Sequence, residues 1–172
     1  MAIPIGQSQG HIFQINASQG GVPKLAVSRG EITFTGLAGD RQTNPDVHGG
    51  PERALCLYSL ERILALQCEG HPIYPGAIGE NLTIAGLDWE VVTPGMRLQV
   101  GENVLLLLTR YTTPCNTIVA AFSGRFPGDE IASGSPSQRV SQKLFPGWSR
   151  LYARVLQPGL VSVGDRVRVI GD

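Results

Sequence analysis

Cys115 stands in the stretch Leu105–Ala121, LLLLTRYTTPCNTIVAA, where an apolar run meets Thr112–Thr113–Pro114 and a second apolar run continues to Phe122. Pro114 suits the first position of a helix, where a missing N–H costs nothing, and Thr113 suits the N-cap before it. That places Cys115 in a first helical turn, where free backbone N–H groups and the helix dipole favour negative charge. A thiol so placed has a lowered pKa, and its thiolate is a nucleophile or a soft-metal ligand. Arg110 lies just before it in sequence. Free cysteine also serves as a small buried hydrophobe, and spacing alone leaves both readings of Cys115 open.

A second set of reactive residue types sits in Gly36–Arg53, GLAGDRQTNPDVHGGPER, which holds Asp40, Arg41, Asp46, His48 and Arg53 among four glycines and two prolines. A loop of this length without structure of its own is usually functional or disordered, and its specific polar groups favour function. His48 is equally at home as a turn residue or as a proton carrier. Two shorter loops end on polar groups: SQGGVPK on Lys24, and YPGAIGENL on Glu80 and Asn81 next to a strand entry. Glu80 and Asn81 suit a ligand or the closing of a turn.

The chain of 172 residues and 18.4 kDa is read as one domain over residues 1–172, long enough to build a core. No apolar run reaches the length of a membrane span, and the N-terminus lacks the basic and apolar regions of a signal peptide. Fourteen basic and 14 acidic residues balance, so no electrostatic footprint for nucleic acid or a membrane surface exists. Cys56, Cys68 and Cys115 are odd in number and widely spaced, with no CxxC pair, which argues against a disulfide framework and a zinc site and for a reducing cytoplasm. Twenty-two glycines and 12 prolines imply many turns.

The elements that must position these residues are mostly strands. Gly10–Ala17 and Ala26–Thr35 read as an opening hairpin, and Ala54–Tyr58 as a short apolar strand in which Cys56 packs. Ser59 caps a helix over Leu60–Glu69 that carries Cys68, read as a structural residue, and ends at Gly70. Asn81–Ala85, Glu90–Thr93, Met96–Val100 and Asn103–Thr109 read as strands, the last feeding Cys115. Ser123–Ser137 is a polar stretch that suits a lid or disorder; Pro136 then opens a helix to about Leu144, and Arg150–Leu156 is a further strand. Gly159–Ile170 closes the chain as strand, Gly-Asp turn and strand, echoing Val92–Val100. The predicted architecture is a compact, mainly antiparallel β-barrel with two or three short helices.

Six stretches in order, GGVPK (20–24), GLAGDRQ with HGGPERALCLYS (36–59), EGHPIYPGAIGENLTIAGLDW (69–89), LLTRYTTPCNTI (107–118), SRLYARVL (149–156) and GLVSVGDRVRV, resemble the MOSC domain, found at the C-terminus of molybdenum cofactor sulfurases and as small bacterial proteins. The resemblance implies a β-barrel that binds the molybdenum cofactor (molybdopterin) through its pterin and phosphate. It makes Cys115 the residue that ligates molybdenum or carries sulfur, in keeping with the preference of the metal for soft thiolate donors. Arg110, Lys24 and Arg53 are then cations for the phosphate. Asn81 and Glu80 suit the pterin edge, while Asp40 and His48 suit the cavity wall, with His48 available for proton delivery. For Lys24 and Arg53, a solvated surface charge is an equal alternative.

Two activities follow from the resemblance: an oxidoreductase reducing N-hydroxylated or N-oxide compounds, or a carrier of persulfide sulfur or cofactor. The chain shows no pyridoxal-phosphate, iron–sulfur or haem domain, so a separate electron-donor protein, or a sulfur donor such as a cysteine desulfurase, is the expected partner. A structural barrel that binds a protein is a third reading, which leaves Gly36–Arg53 unexplained.

Overall fold

Alternation of side chains decides the architecture. In the computed structural model, which describes residues 8–41, 46, 49–122 and 135–171, the strand β1 (Gln9–Ala17) turns Ile12 inward and, past a shift of register between Ile12 and Gln14, Ile15 as well, both to complete burial. β2 (Leu25–Val27), β3 (Arg29–Thr33) and β4 (Gly36–Leu37) follow, then a 3-10 turn at Pro51–Arg53 and β5 (Leu55–Ser59). Helix α1 (Leu60–Cys68) leads to β6 (Leu82–Ala85), and β7 (Arg97–Val100) and β8 (Val104–Tyr111) form the next hairpin. Helix α2 (Asn116–Phe122), a 3-10 turn at Pro136–Val140, and strands β9 (Leu151–Gln157), β10 (Gly159–Ser162) and β11 (Arg166–Ile170) complete the described chain.

The strands pair in the order β11-β7-β8-β9-β5-β6-β1-β2, and an additional β11–β1 pairing closes seven of them into a barrel. Closure removes the exposed edges that an open sheet would present. Every pairing is antiparallel except β5 with β6, which are joined through α1 and therefore run parallel. The mainly β barrel read from the sequence is the observed fold, with this one parallel pair added. Its interior is filled by apolar side chains such as Leu55, Leu57, Leu98, Leu106 and Leu151, all fully buried. The two echoing stretches meet there, since β7 and β11 pair with Val100 opposite Val167 and Leu98 opposite Val169. A small separate sheet, β10-β3-β4, lies beside the barrel.

Helix α1 starts as its sequence dictates, with the Ser59 hydroxyl accepting the Arg62 N–H at 3.2 Å and Gly70 adopting φ 95° beyond its end. Three local readings differ from the structure. Glu90–Thr93 is a turn and not a strand, because the Thr93-Pro94-Gly95 sequence bends the chain while Val92 still reaches the core. Pro136 opens only one 3-10 turn, ending at Val140, instead of a helix to Leu144. Cys68 is exposed on α1 and does not pack. Most of Ser123–Ser137 lies outside the described residues.

Candidate functional site

The barrel carries its polar site on an outer face, where loops fold back over the strands. Paired residues on adjacent strands share a face. Cys56 on β5 lies opposite Tyr152 on β9, while the Cys56 N–H donates to Asn81 Oδ1 at 3.0 Å and the Asn81 N–H donates to the Cys56 carbonyl at 2.7 Å. Asn81 at the entry to β6, Cys56 on β5 and Tyr152 on β9 thus line up side by side. They form one wall of a cavity of about 400 Å3, which is completed by Lys24, Arg41, Ile78, Cys115 and Arg150.

Loops bring in the cations. The Lys24 Nζ donates to Asp40 Oδ2 at 2.5 Å, with the two side chains only 8% and 6% exposed. The same carboxylate accepts from Asn81 Nδ2 at 2.9 Å and, through Oδ1, from the Ser18 N–H at 2.8 Å. Asp40 therefore neutralises Lys24 and ties it to Asn81, but does not itself line the cavity. The loop over residues 74–79 packs so closely on Lys24 that a Cβ on Gly76, at φ 88°, would lie 2.3 Å from the Lys24 carbonyl oxygen. Only glycine fits that approach.

Arg150 supplies a buried charge with no carboxylate in ion-pair contact among the described residues. It is 6% exposed, its Nη1 donates to the Ile78 carbonyl, and its Nε is buried without a partner. Glu80, fully buried nearby, accepts from the Gly76 N–H at 2.7 Å and from Thr83 Oγ1 at 3.1 Å. Burial pushes its carboxyl above the usual range, against the lowering effect of its backbone hydrogen bonds and of the Arg150 charge. Burial also pushes the Cys56 thiol up to about 11 and the Tyr152 hydroxyl up to about 12. Cys56 is thus a protonated, unreactive wall at neutral pH.

Cys115 is half-buried and directly precedes α2, whose Ile118 N–H donates to the Cys115 carbonyl at 3.2 Å. The helix begins at Asn116, two residues later than the Pro114 start read from the sequence, so Cys115 occupies the capping position and not the first turn.

The structure brings Cys115, Lys24 and Asn81 to one cavity and leaves other expected residues outside its lining. Arg110 is exposed, opposite Tyr152 on the adjoining strand β8. Arg53 does not border the cavity, and its guanidinium carbon lies 5.9 Å from the Tyr152 ring centre. Glu80 faces the loop it supports, Asp40 faces Lys24, and His48 lies outside the described residues. Cys56, expected to be packing only, also borders the cavity, as does Arg150, which sequence reasoning passed over. The signal for Arg150 is its phase: residues 150, 152 and 154 alternate with the inward Leu151, Ala153 and Val155.

A thiol, a buried guanidinium, an amide and a neutralised lysine around one cavity suit a ligand with a thiophilic end and an anionic end. The match to the MOSC domain model runs over residues 44–168 and takes in Asn81, Cys115 and Arg150. The chain belongs to the MOSC domain family. MOSC domains are associated with molybdenum cofactor binding. Protein YiiM of Escherichia coli strain K12 is 38% identical over 155 residues, 87% of this MOSC chain and 63% of YiiM. A protein named reductase from Gibberella moniliformis is 29% identical over 140 residues, 79% of this chain and 23% of that protein. The chain thus spans less than two thirds of these relatives. The crystal structure of YiiM from Geobacillus stearothermophilus shares the fold with a TM-score of 0.70 at 21% identity, covering 94% of this chain and 75% of that one. No helix among the described residues is long and apolar enough to cross a membrane.

Proposed function

We propose that this MOSC domain binds a molybdenum cofactor in the cavity bordered by Cys115 and Arg150, and reduces N-hydroxylated or N-oxide compounds with electrons from a separate donor protein. The observation that carries the reading is the buried Arg150 guanidinium, with an unpartnered Nε and no carboxylate partner among the described residues, on the same cavity as a half-buried thiol. A buried cation with no carboxylate in direct contact is costly, so an anionic group on the ligand would satisfy it. The residues present fit the group: Cys115 would offer the soft donor that molybdenum prefers, Arg150 would hold its anionic end, and Lys24, paired with Asp40, and Asn81, whose Nδ2 is spent on Asp40 and the Asn16 carbonyl and whose Oδ1 keeps one acceptor site, would border it. When bound, the cofactor supplies two-electron redox chemistry at the metal.

The protein's own contribution is position and exclusion of water. Asp40 holds Lys24 and Asn81 in place, the protonated Cys56 and Tyr152 close the wall, and the half-exposed Cys115 leaves one side open to substrate. Reduction of a hydroxylamine to an amine and water consumes two electrons and two protons. The electrons come from the donor protein and the protons from solvent at that open side. The reading is tested by turnover of an N-hydroxylated compound with a reduced viologen as donor, in wild type and Cys115→Ala loaded in the same host. Loss of turnover in the variant is expected; retained turnover contradicts the reading. A gain of one sulfur atom on Cys115 after incubation with a cysteine desulfurase, without reductase turnover, moves the domain to the sulfur-carrier reading.

A further inference from the structure

We propose that Ser149 is a positioning residue that fixes the separation between the two arms of the site, the Cys115 thiol and the Arg150 guanidinium. The inference rests on the reading that one ligand touches both. The β8–β9 ladder pairs Tyr111 with Leu151 and continues with the Thr112 N–H donating to the Arg150 carbonyl at 3.0 Å. At the next rung a side chain takes over. The fully buried Ser149 hydroxyl lies 3.0 Å from both the Thr112 and Arg150 carbonyl oxygens, and 3.4 Å from Thr112 Oγ1.

This hydroxyl is a junction between chain segments that are 37 residues apart in sequence. Thr112 leads through Thr113 and Pro114 to Cys115, and Ser149 is joined directly to Arg150. The junction cannot drift, because its neighbours are pinned in turn. Tyr58 Oη donates to the Trp148 carbonyl at 2.7 Å, and Trp89 Nε1 donates to the Ser149 carbonyl at 2.8 Å. The Trp148 ring is held between Arg62 and Arg139, whose guanidinium carbons lie 4.5 and 3.7 Å from its centre. A hydroxyl in this setting serves no ligand directly, since Ser149 does not border the cavity. It acts through the backbone by holding two arms that do.

The test uses two alkylating reagents on the intact protein, without cofactor. Iodoacetate carries an anion and iodoacetamide does not, so their rate ratio at Cys115, divided by that at the exposed Cys68, reports a cation held close to the Cys115 thiol. This normalised ratio is expected to exceed one in wild type and to lose more than half of that excess in Arg150→Gln, with Lys24 and Arg41 of the same cavity unchanged. In Ser149→Ala it is expected to fall by at least half of the difference between wild type and Arg150→Gln, while Cys68 rates stay the same. An unchanged ratio in Arg150→Gln overturns the reading of Arg150 as the anionic arm. A ratio that falls in Arg150→Gln but not in Ser149→Ala overturns the role of Ser149 alone. Should Ser149→Ala not fold, the hydroxyl proton of wild-type Ser149 decides by NMR: a slowly exchanging signal is expected for a hydroxyl held on the Thr112 and Arg150 carbonyls, and exchange with water as fast as that of an exposed serine hydroxyl overturns the lock.

Discussion

Removing the Asp40 carboxylate is expected to destabilise the protein more than any surface charge change. Lys24 and Asp40 meet at 2.5 Å with side chains 8% and 6% exposed, and Asp40 also accepts from the Ser18 N–H and Asn81 Nδ2. Asp40→Ala strands a buried ammonium and cuts two further hydrogen bonds. Breaking one side of a buried ion pair costs about 3–5 kcal/mol, a large part of the roughly 5–15 kcal/mol that holds a domain together. At about 2–4 °C per kcal/mol for a domain of this size, the midpoint of thermal unfolding should fall by roughly 10 °C. Because the pair is out of reach of bulk ions, the loss should be similar at low and high salt. Lys24→Met combined with Asp40→Ala removes both charges and should recover more than half of the lost stability, since apolar replacements of buried pairs are often neutral. Urea unfolding of the two single variants, the double variant and wild type measures the coupling directly. A loss below about 1 kcal/mol for Asp40→Ala, the range of an exposed pair, or a double variant no more stable than Asp40→Ala, refutes the account of the pair.

Two further outcomes follow from the same geometry. Cys56 holds its proton up to about pH 11 in the folded state, against an ordinary value of 9.0. Between those values the unfolded chain releases the proton and the folded chain keeps it, so the contribution is whole below pH 9 and stability falls as pH rises. The shift corresponds to roughly 2–3 kcal/mol. Cys56→Ser should therefore show a shallower alkaline decline between pH 9 and 11 in urea unfolding; an equally steep decline contradicts the assignment. Gly76→Ala and Gly164→Ala both place a side chain at positive φ, but only Gly76 faces backbone, with Lys24 O at 2.3 Å, whereas nothing lies within 4 Å of Gly164. Overpacking adds about 1–3 kcal/mol to the shared strain, so Gly76→Ala should be the costlier by that amount in thermal unfolding, and equal costs would show that the 74–79 loop yields freely.

Local signals gave the barrel. Val104–Thr109 alternates buried and half-exposed residues as an extended chain does, although its sequence is apolar throughout to Leu108, and Ser59 and Gly70 bracket α1 as their backbone chemistry requires. The site was legible where a residue sits in a distinctive turn or cap, as Cys115, Lys24 and Asn81 do. It was not legible where burial comes from segments distant in sequence. Arg150, Tyr152 and Arg154 share one strand phase, yet Arg154 is exposed while Arg150 is buried, because the loop carrying Ile78 covers only the start of β9. The same covering gives Cys56, in a continuous apolar run, a cavity to face. Arg110 has the reverse history: it is close to Cys115 in sequence, but β8 ends with its side chain on the exposed side.

Metal analysis of protein purified from a cofactor-producing host, with wild type beside Cys115→Ala and Arg150→Gln, tests the central claim most directly. Near-stoichiometric molybdenum in wild type, none in Cys115→Ala and a reduced content in Arg150→Gln is the expected result. Wild type without molybdenum from a host that loads a control molybdenum enzyme, or full molybdenum in Cys115→Ala, would contradict it.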